Sequence, residues 1–252
     1  MKYNGLLNGK VILVTGGSGG IGSAICKKAA EQGATVIIHY NSKPERAEEL
    51  RRSIECLNGE SMIVQADLSV NKDVTKMFQD IINKYGGIDI LVNNAGRSFN
   101  ALVTLTTEEQ WQMVLDINLK SVFLCSKRFI FECIKRKRAG VILNISSVAG
   151  LGGSVGMGAY SASKAGVNSL TRTLAKEYAN KNIRVNVIAP GPVDTDMMAN
   201  VPQNLTQTII NEVPLGRIAK PDEIAELAIF LSSDLASYIT GAIIPVDGGQ
   251  TS

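Results

Sequence analysis

Ser147, Tyr160 and Lys164 are the residues of this chain whose types and spacing best support chemistry. Tyr160 and Lys164 stand four apart in a segment whose apolar residues (Val167, Leu170, Leu174, Tyr178) recur at helical spacings, so both fall on one helix face. A free tyrosine titrates at about 10 and is a poor acid or base near neutrality. An ammonium beside it favours the phenolate and lowers that value, which would suit Tyr160 to proton transfer. Ser147 follows the apolar run Val141-Ile142-Leu143-Asn144-Ile145, which reads as a buried strand. At the carboxyl end of that strand its hydroxyl could bond the same substrate oxygen. The three together would make a proton donor, its electrostatic tuner and an orienting hydroxyl. Taken singly, a Tyr beside a Lys is more often an amphipathic residue next to a solvated charge, and a serine at a strand end is more often a turn former. The surrounding elements decide between these readings.

The first of those elements is Lys10 to Thr15, a short apolar run that stops at Gly16-Gly17-Ser18-Gly19-Gly20-Ile21-Gly22 and is followed by a helical pattern from Ser23 to Gln32. Strand, glycine turn and helix is the setting in which backbone N–H groups at a helix start hold phosphate. Gly16 would permit the tight turn, Gly20 the approach of a pyrophosphate and Gly22 the close packing of helix on sheet. The second strand, Ala34 to Tyr40, runs out into Asn41-Ser42-Lys43 without the carboxylate that would bind ribose hydroxyls and select NAD. Lys43 could neutralise a 2′-phosphate, so NADP(H) is favoured and NAD(H) stays open.

Further strands read at Ser61–Ala66, ending at Asp67-Leu68; at Ile88–Val92, ending in Asn93-Asn94-Ala95-Gly96; at Arg184–Ala189, ending in Pro190-Gly191-Pro192-Val193-Asp194-Thr195; and at Ala242–Val246. Helices read between them. Asn118 sits amid apolar neighbours, where an unsatisfied amide is costly, so it is either a core amide with backbone partners or part of a polar relay. Residues 192–217, weakly periodic from Met197 on, read as a substrate lid. The alternation implies an α/β fold, one doubly wound parallel sheet of about seven strands with helices on both faces, in a single domain over residues 1–252.

Composition narrows the function classes. With 252 residues, 45% of them hydrophobic, the chain can bury a large core. Its 26 basic and 23 acidic residues leave a net charge of only +3, which gives no reason to expect a nucleic-acid partner. No apolar run approaches the roughly 20 residues of a membrane span, and Met1 to Gly5 lacks a signal-peptide core. Four scattered cysteines and the lone His39 argue against a structural zinc and for reduced thiols in a cytoplasmic protein.

Taken together, Thr15-Gly16 with Gly20 and Gly22, Asn93-Asn94-Ala95-Gly96, and Ser147, Tyr160 and Lys164 at their spacing resemble the short-chain dehydrogenase/reductase family over essentially the whole chain. The resemblance implies hydride transfer between a nicotinamide and a carbonyl carbon, with Asn118 (in Asp116-Ile117-Asn118-Leu119) as the fourth catalytic residue, anchoring a water relay. It implies cofactor contacts at Gly16, Ser18, Gly20, Ile21, Gly22, Asn41, Ser42, Asp67, Leu68, Asn94, Ala95, Gly96, Tyr160, Lys164, Pro190, Gly191, Val193 and Thr195, with no metal. The ending from Pro214-Leu215-Gly216-Arg217 to Val246-Asp247-Gly248-Gly249 is similar to bacterial 3-oxoacyl-acyl-carrier-protein reductases of fatty acid synthesis; sugar and other alcohol dehydrogenases share much of it. Many of those reductases carry an arginine where this chain has Gly19. The resemblance further implies a homotetramer built through the helices of residues 107–136 and from Ala159 onward, and an acidic carrier docked on Arg138 and Lys181 beside the site entrance. A non-catalytic nucleotide-binding sensor is the alternative of another class; the presence of all four matched residues speaks against it.

Overall fold

A computed structural model describes residues 5–199, 201 and 203–252. Residues 1–4, and positions 200 and 202 of the expected lid, lie outside the described residues. Seven parallel strands form one sheet in the order β3-β2-β1-β4-β5-β6-β7. They are β1 (Val11–Val14), β2 (Thr35–Tyr40), β3 (Ser61–Gln65), β4 (Ile90–Asn93), β5 (Gly140–Ile145), β6 (Ile183–Pro190) and β7 (Ile243–Val246).

Both faces of the sheet are covered, which is why the strands are almost uninterruptedly apolar. Ile12, Val14, Ile38 and Val92 pack with α1 (Gly20–Glu31), α2 (Pro44–Glu55) and α10 (Pro221–Ser232). Their strand neighbours Leu13, Ile37, Leu91 and Ile142 point the other way, onto α3 (Asn71–Tyr85), α5 (Ser121–Arg136) and α7 (Gly158–Tyr178). The side-chain period of two sorts each strand between the two layers.

Strand order reverses at β1, with β2 on one side and β4 on the other, so a crevice opens beyond their carboxyl ends. The glycine turn after β1, Asn94 after β4 and Ser147 after β5 all lie along that edge. Several element starts differ from expectation. Helix α1 begins at Gly20, inside the glycine turn. The glycine-rich loop after β5 holds a short helix, α6 (Ala149–Gly152), and α7 starts at Gly158, ahead of Tyr160. The weakly periodic stretch expected to be a lid holds two helices, α8 (Asp196–Ala199) and α9 (Gln203–Asn211). Helix α4 (Glu108–Leu115) starts on a capping box between Thr107 and Gln110 and runs through a π-helical turn, Asp116–Lys120, into α5.

Candidate functional site

The glycine turn is built from both sides of the switch point. Thr15 Oγ1 accepts from the N–H groups of Asn94 and Ala95 at 2.9 and 3.0 Å and donates to the Val92 carbonyl at 3.3 Å. The Asn94 amide donates back to the carbonyls of Thr15 and Gly16 at 3.0 and 3.1 Å. Asn94 therefore spends its side chain shaping the turn. Gly16 has φ +60°, where an L side chain is strained. At Gly22 a Cβ would lie 2.4 Å from the Gly16 carbonyl oxygen, so the close approach is to the turn itself.

His39 completes this frame, a role that its place in an apolar strand does not announce. It is buried; Nδ1 accepts from the Gly16 N–H and Nε2 donates to the Ala66 carbonyl, both at 3.0 Å. Those partners fix the neutral tautomer, and burial pushes the imidazole down to about 4. Around it, Gln65 holds the Asn41 carbonyl, and Asn41 and Ser42 are exposed. Asp67 accepts from the Ser69 N–H and hydroxyl at 2.9 and 2.7 Å, which holds its carboxyl below the usual range.

These residues fit a dinucleotide. Helix α1 has no side-chain cap and no acidic residue in its first turn, so its first N–H groups are free to take an anion. A Cβ at Gly20 would strike the Thr195 methyl at 2.6 Å, and one at Gly191 would meet the Asp247 backbone at 2.9 Å, so both walls need bare backbone. Three expected contacts are narrower than the sequence suggests. The side chains of Leu68 and Val193 are buried in the core and that of Ile21 packs against it, because each follows the apolar pattern of its own element. Ser18 and Thr195 are half-buried, and Ala95, Gly96 and Pro190 border the strand ends. At Gly19 a Cβ would meet nothing nearer than the Gly16 carbonyl at 4.0 Å, so this turn has room for a longer side chain.

The fold brings Ser147, Tyr160, Lys164 and Asn118 together from β5, α7 and the π-turn. Ser147 accepts from the Ala149 N–H at 3.1 Å. Tyr160 is buried beside Phe99, Met113 and Met157. Burial raises its hydroxyl above the ordinary value, and a hydrogen bond with Ser147 pulls it part of the way back. This corrects the expectation of a depressed tyrosine. Lys164 Nζ, 5.6 Å from the Tyr160 ring centre, donates to the Ile145 carbonyl at 2.8 Å, and burial brings its own value down to about 8. Desolvation is the larger effect on the phenol.

Asn118 is fully buried, and its amide has both backbone and side-chain partners. Oδ1 accepts from the Arg97 N–H at 2.8 Å, and Nδ2 donates to the Arg97 carbonyl at 2.9 Å and to Ser163 Oγ at 3.1 Å. It ties the chain after β4 to α7. A Cβ at Gly96 would lie within 3.3 Å of Asn118 Oδ1 and 3.5 Å of Lys164 Nζ, so bare backbone separates the amide from the ammonium. Beneath the site, Asn93 donates to Asn144 and Ser126, and Asn144 to Thr171, a buried polar chain that the strand-like context of Asn144 concealed.

Arg138 and Lys181 are placed differently from expectation. They precede β5 and β6, whose first residues, Gly140 and Ile183, pair, so both cations sit at the opposite edge of the sheet from Ser147. The six residues of β5 separate the edges by roughly 20 Å at ~3.3 Å per residue. Arg138 is also committed to Asp89 at 2.7 Å, while Asp89 accepts from the Val11 N–H at 2.8 Å. Among the described residues no group of three or more His, Cys, Asp or Glu could hold a metal, and no helix is long and apolar enough to cross a membrane.

A family model described as enoyl-(acyl carrier protein) reductase matches residues 16–251. The 3-oxoacyl-(acyl-carrier-protein) reductase of Thermotoga maritima is 42% identical over 243 residues, covering 96% of this chain and 98% of that protein. That of Aquifex aeolicus is 44% identical over 245 residues, 97% and 98% of the two chains. The 3beta-hydroxysteroid dehydrogenase 1 of Eggerthella lenta is 41% identical over 247 residues, 97% and 95%.

Proposed function

Because the chain belongs to the short-chain dehydrogenase/reductase family, oxidoreductases that act on carbonyl or hydroxyl groups with a nicotinamide cofactor, we propose that it reduces a 3-oxoacyl thioester on acyl carrier protein, using NADPH. The observation that carries the reading is the Ser147–Tyr160 hydrogen bond in a chain whose α1 also starts uncapped after the glycine turn. Ser147, Tyr160, Lys164 and Asn118 are its working residues.

A reduced nicotinamide, when bound, supplies the hydride to the carbonyl carbon. The chain supplies everything else. Free N–H groups from Gly20 onward receive the pyrophosphate, and the carboxylate-free Asn41-Ser42 turn receives the adenosine ribose. Ser147 donates to the substrate carbonyl oxygen and orients it. Tyr160, which burial keeps protonated at neutral pH, gives its proton to the same oxygen as negative charge develops there. Lys164 spends one N–H on Ile145 and has two more for ribose hydroxyls. Asn118 holds the Arg97 backbone and Ser163, and thereby fixes the segment after β4 against α7.

A homo-oligomer belongs to this reading. On α5, Val122, Phe129 and Ile130 are buried within the chain, whereas Phe123, Phe131 and Ile134 remain about half exposed. A helix with a second apolar face suits a second copy packed against it.

The relative from Eggerthella lenta supports one other reading, oxidation of an apolar secondary alcohol at the same site. The test is a substrate panel: acetoacetyl thioesters with NADPH or NADH, against steroid, sugar and simple alcohols with NADP or NAD. Preferred turnover of the thioesters with NADPH is expected; preferred oxidation of an alcohol would replace the assignment. Tyr160→Phe should keep cofactor affinity and lose at least about 10²–10⁴-fold in kcat. Near-normal turnover by that folded variant would sink the mechanism.

A further inference from the structure

The start of the lid crosses the glycine turn and is fastened on its far side. Thr195 lies over Gly20, and the next residue, Asp196, opens α8 and forms an ion pair with Arg46 in the first turn of α2. Arg46 and Asp196 are 150 positions apart, and three strands, β1, β4 and β5, stand between β2 and β6 in the sheet. The contact therefore bridges the crevice between its two ends. Lys43, at the cap of α2, also acts on the Asp196 carboxylate by its charge.

The register explains what lies beneath this bridge. Val14 of β1 pairs with Ile38 of β2, and the Gly17 N–H donates to the His39 carbonyl at 2.9 Å. The chain from Asn41 to Arg46 consequently runs beside the glycine turn, where the adenosine half of a dinucleotide would lie. Both partners of the ion pair are largely exposed, at 46% and 67%. Such a pair is weak and readily exchanged, because water competes for both ends. A phosphate dianion offers a guanidinium more than one carboxylate does, through more acceptors and higher charge.

Resting on the NADP reading above, we propose that Arg46 is the cation that recognises the 2′-phosphate, and that it is shared: Asp196 of the lid holds it until the phosphate takes it over. NADH leaves the Arg46–Asp196 pair in place, whereas NADPH exchanges the carboxylate for its phosphate. Because coupling is reciprocal, the carboxylate weakens phosphate binding by as much as the phosphate weakens the fastening.

Binding of adenosine 2′,5′-bisphosphate and AMP, and of NADPH and NADH, measured by titration calorimetry on the full chain, tests this without turnover. Arg46→Gln should weaken the bisphosphate and NADPH by at least about tenfold and leave AMP and NADH within twofold. Arg46→Lys should recover part of that loss. Asp196→Asn should tighten the bisphosphate and NADPH by about two- to fivefold, the worth of an exposed pair. In the Arg46→Gln background the same change should do nothing. A bisphosphate preference that survives Arg46→Gln would overturn the inference and leave the NADP reading standing. An Asp196→Asn gain that persists undiminished without Arg46 would also overturn it, since the carboxylate would then act by bulk charge. Equal binding of AMP and the bisphosphate by the unmodified chain would remove both readings.

Discussion

At the residue scale the site holds its charge at a cost to the fold. Lys164 is buried with one acceptor, and its folded value of about 8 lies below its ordinary 10.5. Below about pH 8 the folded chain carries the full cost of a buried ammonium. Between 8 and 10.5 the folded chain gives up this proton more readily than the unfolded one, so this group makes stability rise with pH. Lys164→Met should therefore melt higher than the parent at pH 7, with the advantage shrinking as pH rises towards 10.5. Melting curves at pH 7 and 10 on the cofactor-free proteins check the sign, and a constant difference would refute it. The same group should make kcat/KM for reduction fall as pH rises through about 8, because that ratio reports the free enzyme.

At the element scale, position depends on how closely α6 and α7 approach. A Cβ at Gly150 would lie 2.8 Å from the Lys164 carbonyl carbon and Cβ, and 3.0 Å from the Ala165 nitrogen. Most of that contact is backbone, so the short helix would have to back away and take Ser147 with it. Gly152, two residues on in the same helix, has nothing within 4 Å. Gly150→Ala should then destabilise by about 1–3 kcal/mol and depress kcat, while Gly152→Ala should do neither. Denaturant melts of the two variants separate close packing from simple loss of glycine.

At the scale of the whole molecule, the two edges of the sheet do different work. Arg138 and Lys181 lie at the edge away from Ser147, so a carrier docked there would not face the site of the same chain unless its arm reached past the sheet. In an oligomer it could serve another copy. Arg138 is also structural, since it pairs with the Asp89 that anchors β1. Arg138→Glu would set two carboxylates together and should lower the melting temperature, which makes it a poor probe of docking. Lys181→Glu avoids this. It should slow reduction of a carrier-bound thioester, most strongly at low salt, and spare a small free thioester. Equal rates on both substrates would dissociate this surface from carrier recognition.

The sequence by itself determined the strand–helix alternation, the glycine turn, and the Tyr160–Lys164 face, because each is written in local periodicity and spacing. Element boundaries near the site moved by a few residues, since glycines that look like loop are also free to start helices, as Gly20 and Gly158 do. What remained hidden was every feature made by partners distant in sequence. His39 looks like a strand residue until Gly16 and Ala66 arrive at its two nitrogens. The raised Tyr160 and lowered Lys164 follow from burial, a property of the packed whole, where helical spacing alone pointed the other way for the tyrosine. Arg138 and Ser147 are nine residues apart and on opposite edges, because a strand of β5's length must run between them. Local pattern fixes which residues share a face; only tertiary packing fixes which solvent, charge and backbone they meet there.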